Sequence, residues 1–172
     1  MFLATLEDDV QVIVKIPYGL LVPETYATTS EVATLTYLRS KGIPTPKVYG
    51  WSSTADNPAG VEYIFMEHAS GIGLDSKWFE LTKKQQLTVV TEVVDIEKKI
   101  FCLPFSATGS IYFKKDLPSH MQTVLYLPGT PDLDGDSEIF CIGPSLITCF
   151  GMVNVQKCNL TVVLVSVHLL VS

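Results

Sequence analysis

The chain opens on short runs of β-branched and apolar residues rather than on a helical period. FLATLE (2–7) and VQVIVKI (10–16) read as two strands split by Asp8-Asp9, a hairpin signal. In the second run Val10, Val12 and Val14 alternate onto one face, with Gln11, Ile13 and Lys15 on the other. LLVPETYATT reads as loop. The period then changes: in TTSEVATLTYLRSKG, Val32, Leu35 and Leu38 recur at threes, Thr28 and Glu31 fit a capping box, and Gly42 stands where a helix stops. Pro44 and Pro46 enforce an extended connection. KVYGWSS and VEYIFME read as two further strands joined by the turn-rich TADNPAG. The order strand, strand, helix, strand, strand predicts an α+β fold with an antiparallel sheet of about four or five strands.

Beyond residue 70 the pattern becomes helical again. GIGLDSKW reads as a linker. Thr82 and Gln85 form a second capping box, and Val89, Val93, Ile96 and Ile100 mark an apolar stripe on a helix ending near residue 101. PFSATGSIYF is a Gly-punctuated turn into a short strand, and PGTPDLDGDSE reads as polar loop. From residue 146 the character shifts. LITCFGMVNVQKCNLTVVLVSVHLLVS has no acidic residue and one lysine, and its longest apolar run, Leu160 to Val171, is too short for a membrane span. This tail is expected to be foreign to the domain and poorly packed, and membrane association is not expected.

Composition bounds these readings. The 172 residues suit one domain, or one and part of another; 47% are hydrophobic and 17% charged, so a core is within reach. The net charge of −6 argues against nucleic acid as a partner, which would need a basic stripe. Lys98-Lys99 and Lys114-Lys115 are too short to make one and read as solvated faces. Cys102, Cys141, Cys149 and Cys158 form no CxxC pair, and His68, His120 and His168 lie far apart, so no zinc site is expected. Buried reduced thiols in an intracellular protein are the better reading. Met1-Phe2-Leu3 runs directly into strand-like sequence, and a targeting segment is not expected.

The candidate chemistry begins with Lys15 and Glu31, sixteen residues apart on a strand and the following helix. A lysine paired with a helical carboxylate can be held extended with its ammonium aimed at a phosphate. On spacing alone two bland readings stand beside this one: Lys15 as a charge guarding an edge strand, and Glu31 as the third residue of a capping box.

The wider order of words goes further. VIVKIP, SEVATLTYLRSKGIPTPKVYGW, NPAGVEYIFMEHASGIGL, a tryptophan and a helix ending in FSATGSIYF together resemble the fungal phosphotransferases of the aminoglycoside phosphotransferase, protein-kinase-like group. More narrowly, they resemble the altered inheritance of mitochondria type. The resemblance covers about residues 1–118, and FCIGPS (140–145) is similar to a further fragment of the same pattern. It implies a kinase-like small lobe over 1–70, a hinge linker and the first helix of a second lobe over 71–118, a loop-rich segment over 119–145 and the apolar tail over 146–172. It implies that Lys15 contacts phosphate and that Glu31 is its ion-pair partner. Met66, Glu67, His68 and Ala69 become the hinge whose backbone meets the adenine, with Gly71 and Gly73 giving the linker freedom. ATP and Mg²⁺ are the implied cofactors, an unknown phosphate acceptor the substrate, and a mitochondrion the implied location.

Departures from the family pattern are equally concrete. A Gly-rich turn over the phosphates would precede the lysine strand, and a His-Gly-Asp-like loop with a following Asn and a metal-binding Asp would follow; neither is found. DLDGDSE imitates a calcium loop for three carboxylates, but Ser137 stands where glycine is wanted and Gly143 where the final glutamate belongs. Ser145 lacks a GxSxG setting and His120 a recognisable partner. The expectation is a truncated, inactive member of the family with no catalytic or metal-binding set of its own; the alternative is a non-catalytic module that binds a nucleotide or, through the exposed face of its lobe, a protein partner.

Overall fold

The computed structural model describes residues 1–17, 25–69 and 71–146; the apolar tail after Leu146, with Cys149, Cys158 and His168, lies outside the described residues. Strands β1 (Phe2–Thr5) and β2 (Gln11–Lys15) form the expected hairpin, with Phe2 opposite Val14 and Thr5 opposite Gln11. Its turn closes through Asp9 N–H to the Leu6 carbonyl (3.0 Å). Asp9 takes a φ of 60°, a left-handed conformation that aspartate tolerates better than most residues. Helix α1 (Tyr26–Ser40) follows, then β3 (Val48–Ser52) and β4 (Tyr63–Glu67). The four strands make one antiparallel sheet in the order β1-β2-β4-β3. β2 is therefore an interior strand, and β3 is an edge whose register shifts between Val48 and Gly50.

The ends of α1 are set by different forces. At its C-terminus Gly42 takes a φ of 70°, its N–H meets the Arg39 carbonyl (3.0 Å), and the Ile43 N–H reaches back to Leu38 (3.1 Å). This is a Schellman motif, with Leu38 and Ile43 both in the core as its apolar clasp. The N-terminus corrects the sequence expectation: the cap is Thr25, and Thr28 and Glu31 lie inside the helix with no capping box between them. Tertiary partners take both side chains, as described below.

After the linker come a short helix α2 (Leu74–Lys77), a single 3₁₀ turn at Trp78–Glu80 and the long helix α3 (Lys83–Phe101). Here the capping box forms as expected. Thr82 accepts from the Gln85 N–H, and the Gln85 side chain accepts from the Thr82 N–H at 2.9 Å. Strand β5 (Ser110–Phe113) pairs antiparallel with β6 (Phe140–Gly143), which follows a short helix α4 (Asp136–Ile139). FCIGPS thus supplies a strand within the segment read as loop-rich. Its Gly143 lies where any Cβ would strike the Tyr112 ring and Leu117, and this close approach lets the Tyr112 hydroxyl donate to the Pro144 carbonyl.

The core is built on both sides of α1. Towards the four-stranded sheet, Val32 packs with Ile64 and Met66, joined by Ile13, Val48 and Trp51. Away from it, Ala33, Tyr37 and Leu38 pack with Ile100, Ile111, Leu125, Phe140 and Ile142. Phe113 touches both groups. Among the described residues no helix is long and apolar enough to cross a membrane.

Candidate functional site

Directly opposed residues of an antiparallel pair share a face, so the register of β2 and β4 decides where Lys15 stands. Ile13 lies opposite Met66 and Lys15 opposite Ile64. Ile13, Ile64 and Met66 all pack towards α1, which places Lys15 on the face that the helix covers. The edge-guard reading does not survive, because β2 is flanked by β1 and β4. The Lys15 ammonium donates to both carboxylate oxygens of Glu31, at 2.6 and 2.7 Å. The pair is half-buried, its side chains retaining 19% and 22% of their exposure. Water is thus largely, but not wholly, removed from it, which strengthens the attraction and leaves the ammonium approachable. The capping reading of Glu31 falls as well, since Thr25 is the cap.

Met66, Glu67, His68 and Ala69 mark the exit of β4. Val12 lies opposite Glu67 as Lys15 lies opposite Ile64, so the exit stands three residues, about 10 Å, along the sheet from Lys15. Met66 is buried against α1. The Glu67 carboxylate accepts from the Lys47 N–H (2.9 Å) and from Arg39 (3.3 Å), while its own N–H donates to the Lys47 carbonyl (2.8 Å). Both side chains therefore have structural tasks. His68 is half-buried and Ala69 exposed, where the chain leaves the sheet.

Glu62, Lys41, Tyr37 and Tyr126, which the sequence did not single out, organise the surroundings together with the aspartates of DLDGDSE. Glu62, just before β4, accepts from the Thr25 N–H (3.1 Å) and from the Thr28 hydroxyl (2.7 Å). At the far end of α1, Lys41 pairs with Asp134 (2.6 Å) and Asp136. Tyr126 donates to Asp136 (2.6 Å), and its hydroxyl meets that of Tyr37 at 3.0 Å. Burial pulls the Lys41 ammonium down, but the hydrogen bonds to the two aspartates outweigh it and hold the group up at about 12. Burial, and for Tyr126 its bond to Asp136, push both phenols well above their ordinary value. Asp132 accepts the Asp136 and Ser137 N–H groups, and the Ser137 N–H above all draws its carboxyl below the ordinary range. The three aspartates of DLDGDSE are thus engaged by backbone, lysine and tyrosine. Asp116 stands apart, its carboxyl pushed up by burial against a smaller opposing pull from Lys115. Among the described residues no three His, Cys, Asp or Glu side chains gather to hold a metal ion.

No protein-family model matches the chain, and no solved structure does. Curated proteins do match. The chain is 40% identical over 118 residues to a subtelomeric hrmA-associated cluster protein of Aspergillus fumigatus, covering 68% of this chain and 23% of the relative. It is 30% identical over 149 residues to altered inheritance of mitochondria protein 9, mitochondrial, of Yarrowia lipolytica, covering 81% and 26%. With the protein of that name from Eremothecium gossypii it shares 31% over 150 residues, covering 80% and 24%. The chain therefore spans about a quarter of the length of the curated relatives it matches. The fungal and mitochondrial associations implied by the resemblance are those these names carry, and they support a mitochondrial location. By sequence, this chain is similar to one stretch of longer fungal proteins named for the inheritance of mitochondria.

Proposed function

We propose that the chain carries the nucleotide-binding small lobe of a kinase-like phosphotransferase of the aminoglycoside phosphotransferase type. Phosphoryl transfer to an acceptor then belongs to the longer protein. The observation that carries this reading is the Lys15–Glu31 pair: an interior-strand lysine, clasped by both oxygens of a helical carboxylate and still partly open to solvent. An ammonium held in this way presents a fixed positive charge to phosphate without the entropy cost of ordering a free lysine. The exit of β4 lies about 10 Å along the sheet, a separation that suits a base at one end and phosphates at the other. Backbone groups at His68 and Ala69 would meet the adenine edge, and Lys15 would contact phosphate. ATP would supply the transferable phosphoryl group when bound.

Titration of the full chain with a fluorescent ATP analogue tests the reading. Saturable binding is expected, weakened about tenfold or more in Lys15→Ala, or about 1.4 kcal/mol and upward. Binding that is absent, or equal in the two proteins, overturns it.

A second reading, a protein-interaction module, is favoured by one observation on α3. Leu87, Val90, Val94 and Phe101 share a face at helical spacing and all are exposed.

A further inference from the structure

Helix α1 runs alongside β4 and is tied to the sheet by a series of rungs in matching order. Glu62 holds Thr25 and Thr28; Lys15, opposite Ile64, holds Glu31; Val32 packs on Ile64 and Met66; Glu67 holds Arg39. Going up the strand from 62 to 67 is going up the helix from 25 to 39. The first rung sits one helical turn from Glu31, since residues three apart share a face.

That rung has unusual features. Thr28 is almost wholly buried, at 1% exposure, so its hydroxyl needs a partner inside the protein, and Glu62 is that partner at 2.7 Å. Thr25 takes a φ of 80°, which disfavours a β-branched residue, and its N–H is bound by the other Glu62 oxygen at 3.1 Å. The same carboxylate thus offsets the strained cap and fixes the rotation of the first turn. A negative group also belongs here electrostatically, at the positive end of the helix dipole. Without Glu62 a buried hydroxyl and a strained N–H lose their acceptor together, and the first turn of α1 loses its tie to β4, keeping the packing of Tyr26 against Tyr112 on its other side.

We propose that Glu62 is the positioning residue for the Lys15–Glu31 pair: it sets the rotation and height of α1 so that the Glu31 carboxylate meets the lysine. The inference depends on the nucleotide reading only for what the pair serves, and its test separates the two. Lysine acetylation of the folded full chain, followed by mass spectrometry residue by residue, reads the pair directly. In Glu62→Ala the acetylation rate of Lys15 should rise several-fold relative to Lys47 in the same molecule. Glu62→Gln keeps a carbonyl oxygen for the Thr25 N–H and can donate its amide N–H to the Thr28 hydroxyl oxygen, so it should restore the wild-type rate. Thr82→Ala, which weakens the distant cap of α3, is the control for general destabilisation and should leave Lys15 unchanged. Should Glu62→Ala not fold, Thr28→Val removes the buried hydroxyl with little change in shape, and the same rise is expected. An unchanged Lys15 rate in folded Glu62→Ala or Thr28→Val overturns the proposal, as does an equal rise in Thr82→Ala. Nucleotide titration forms the second arm: Glu62→Ala should weaken binding when Lys15 is present and have no further effect in Lys15→Ala. A wild-type chain that binds no nucleotide defeats the functional reading, while the acetylation arm still decides the role of Glu62.

Discussion

Tyr37 and Tyr126 share a hydrogen bond in which only one hydroxyl can donate to the other, and Asp136 settles the order. Tyr126 gives its proton to the carboxylate, so Tyr37 donates to Tyr126. Lys41 closes the network from the other side of Asp136. Both phenols are held above the ordinary value of 10.0, and Lys41 is held at about 12, above its ordinary 10.5. For groups whose folded pKa is raised, stability is fully present below the unfolded pKa and is lost as pH rises through the folded one. Chemical denaturation at a series of pH values should therefore show a stability loss that begins near pH 10. Tyr37→Phe should lower stability at neutral pH by about 1 kcal/mol and make the alkaline fall shallower, because one of the titrating groups is gone. A fall as steep as wild type would show that Tyr37 is not part of the linkage.

Among the elements, α1 and α3 were written with the same local spelling and met different fates. Thr82 and Gln85 lie in an exposed turn with no competing partner, so their capping box could be read from the sequence and formed. Thr28 and Glu31 have the same spacing, but Glu62 and Lys15 lie within reach and bind them more strongly than the helix end could. Those partners are 34 and 16 residues away, and no local pattern announces Glu62. The DLDGDSE stretch reads as solvated loop for a similar reason: its polarity is local, whereas its partner Lys41 is 93 residues from Asp134. The interior place of β2 was equally hidden, since strand order follows from which strands pair and not from their composition. What the apolar period did convey was the existence and type of the helices and most strands. For α3 it also conveyed a stripe of which Ile100 is buried and Ile96 packs on the core. The second stripe, through Leu87 and Val94, remains exposed. Leu87→Glu with Val94→Glu should leave the melting temperature close to wild type, because both positions already face solvent, while markedly reducing binding of a hydrophobic dye. A large loss of stability instead would mean that this face is packed in solution.

At the scale of the whole molecule, α1 is the wall shared by two sheets. Leu38 belongs to the group that joins it to β5 and β6, whereas Val32, six residues earlier, joins it to β4. Leu38→Ala should cost about 2–5 kcal/mol. Because the helix is common to both sides, the loss should appear equally in Trp51, on the other side of α1, and in far-ultraviolet circular dichroism, as a single transition. Separate transitions would divide the molecule at α1.

The shared wall also has a consequence in time. When the ribosome has released β4, the first sheet and one flank of α1 can already come together. The opposite flank, Ala33, Tyr37 and Leu38, must wait for Ile111, Leu125, Phe140 and Ile142, roughly a hundred residues behind it in the sequence. Ile142 follows the end of β4 at Glu67 by 75 residues, and at about 5–20 residues per second that is a delay of roughly 4–15 s. Throughout it an apolar helix flank stands open beside a finished sheet, a form that chaperones bind and that favours association between nascent chains.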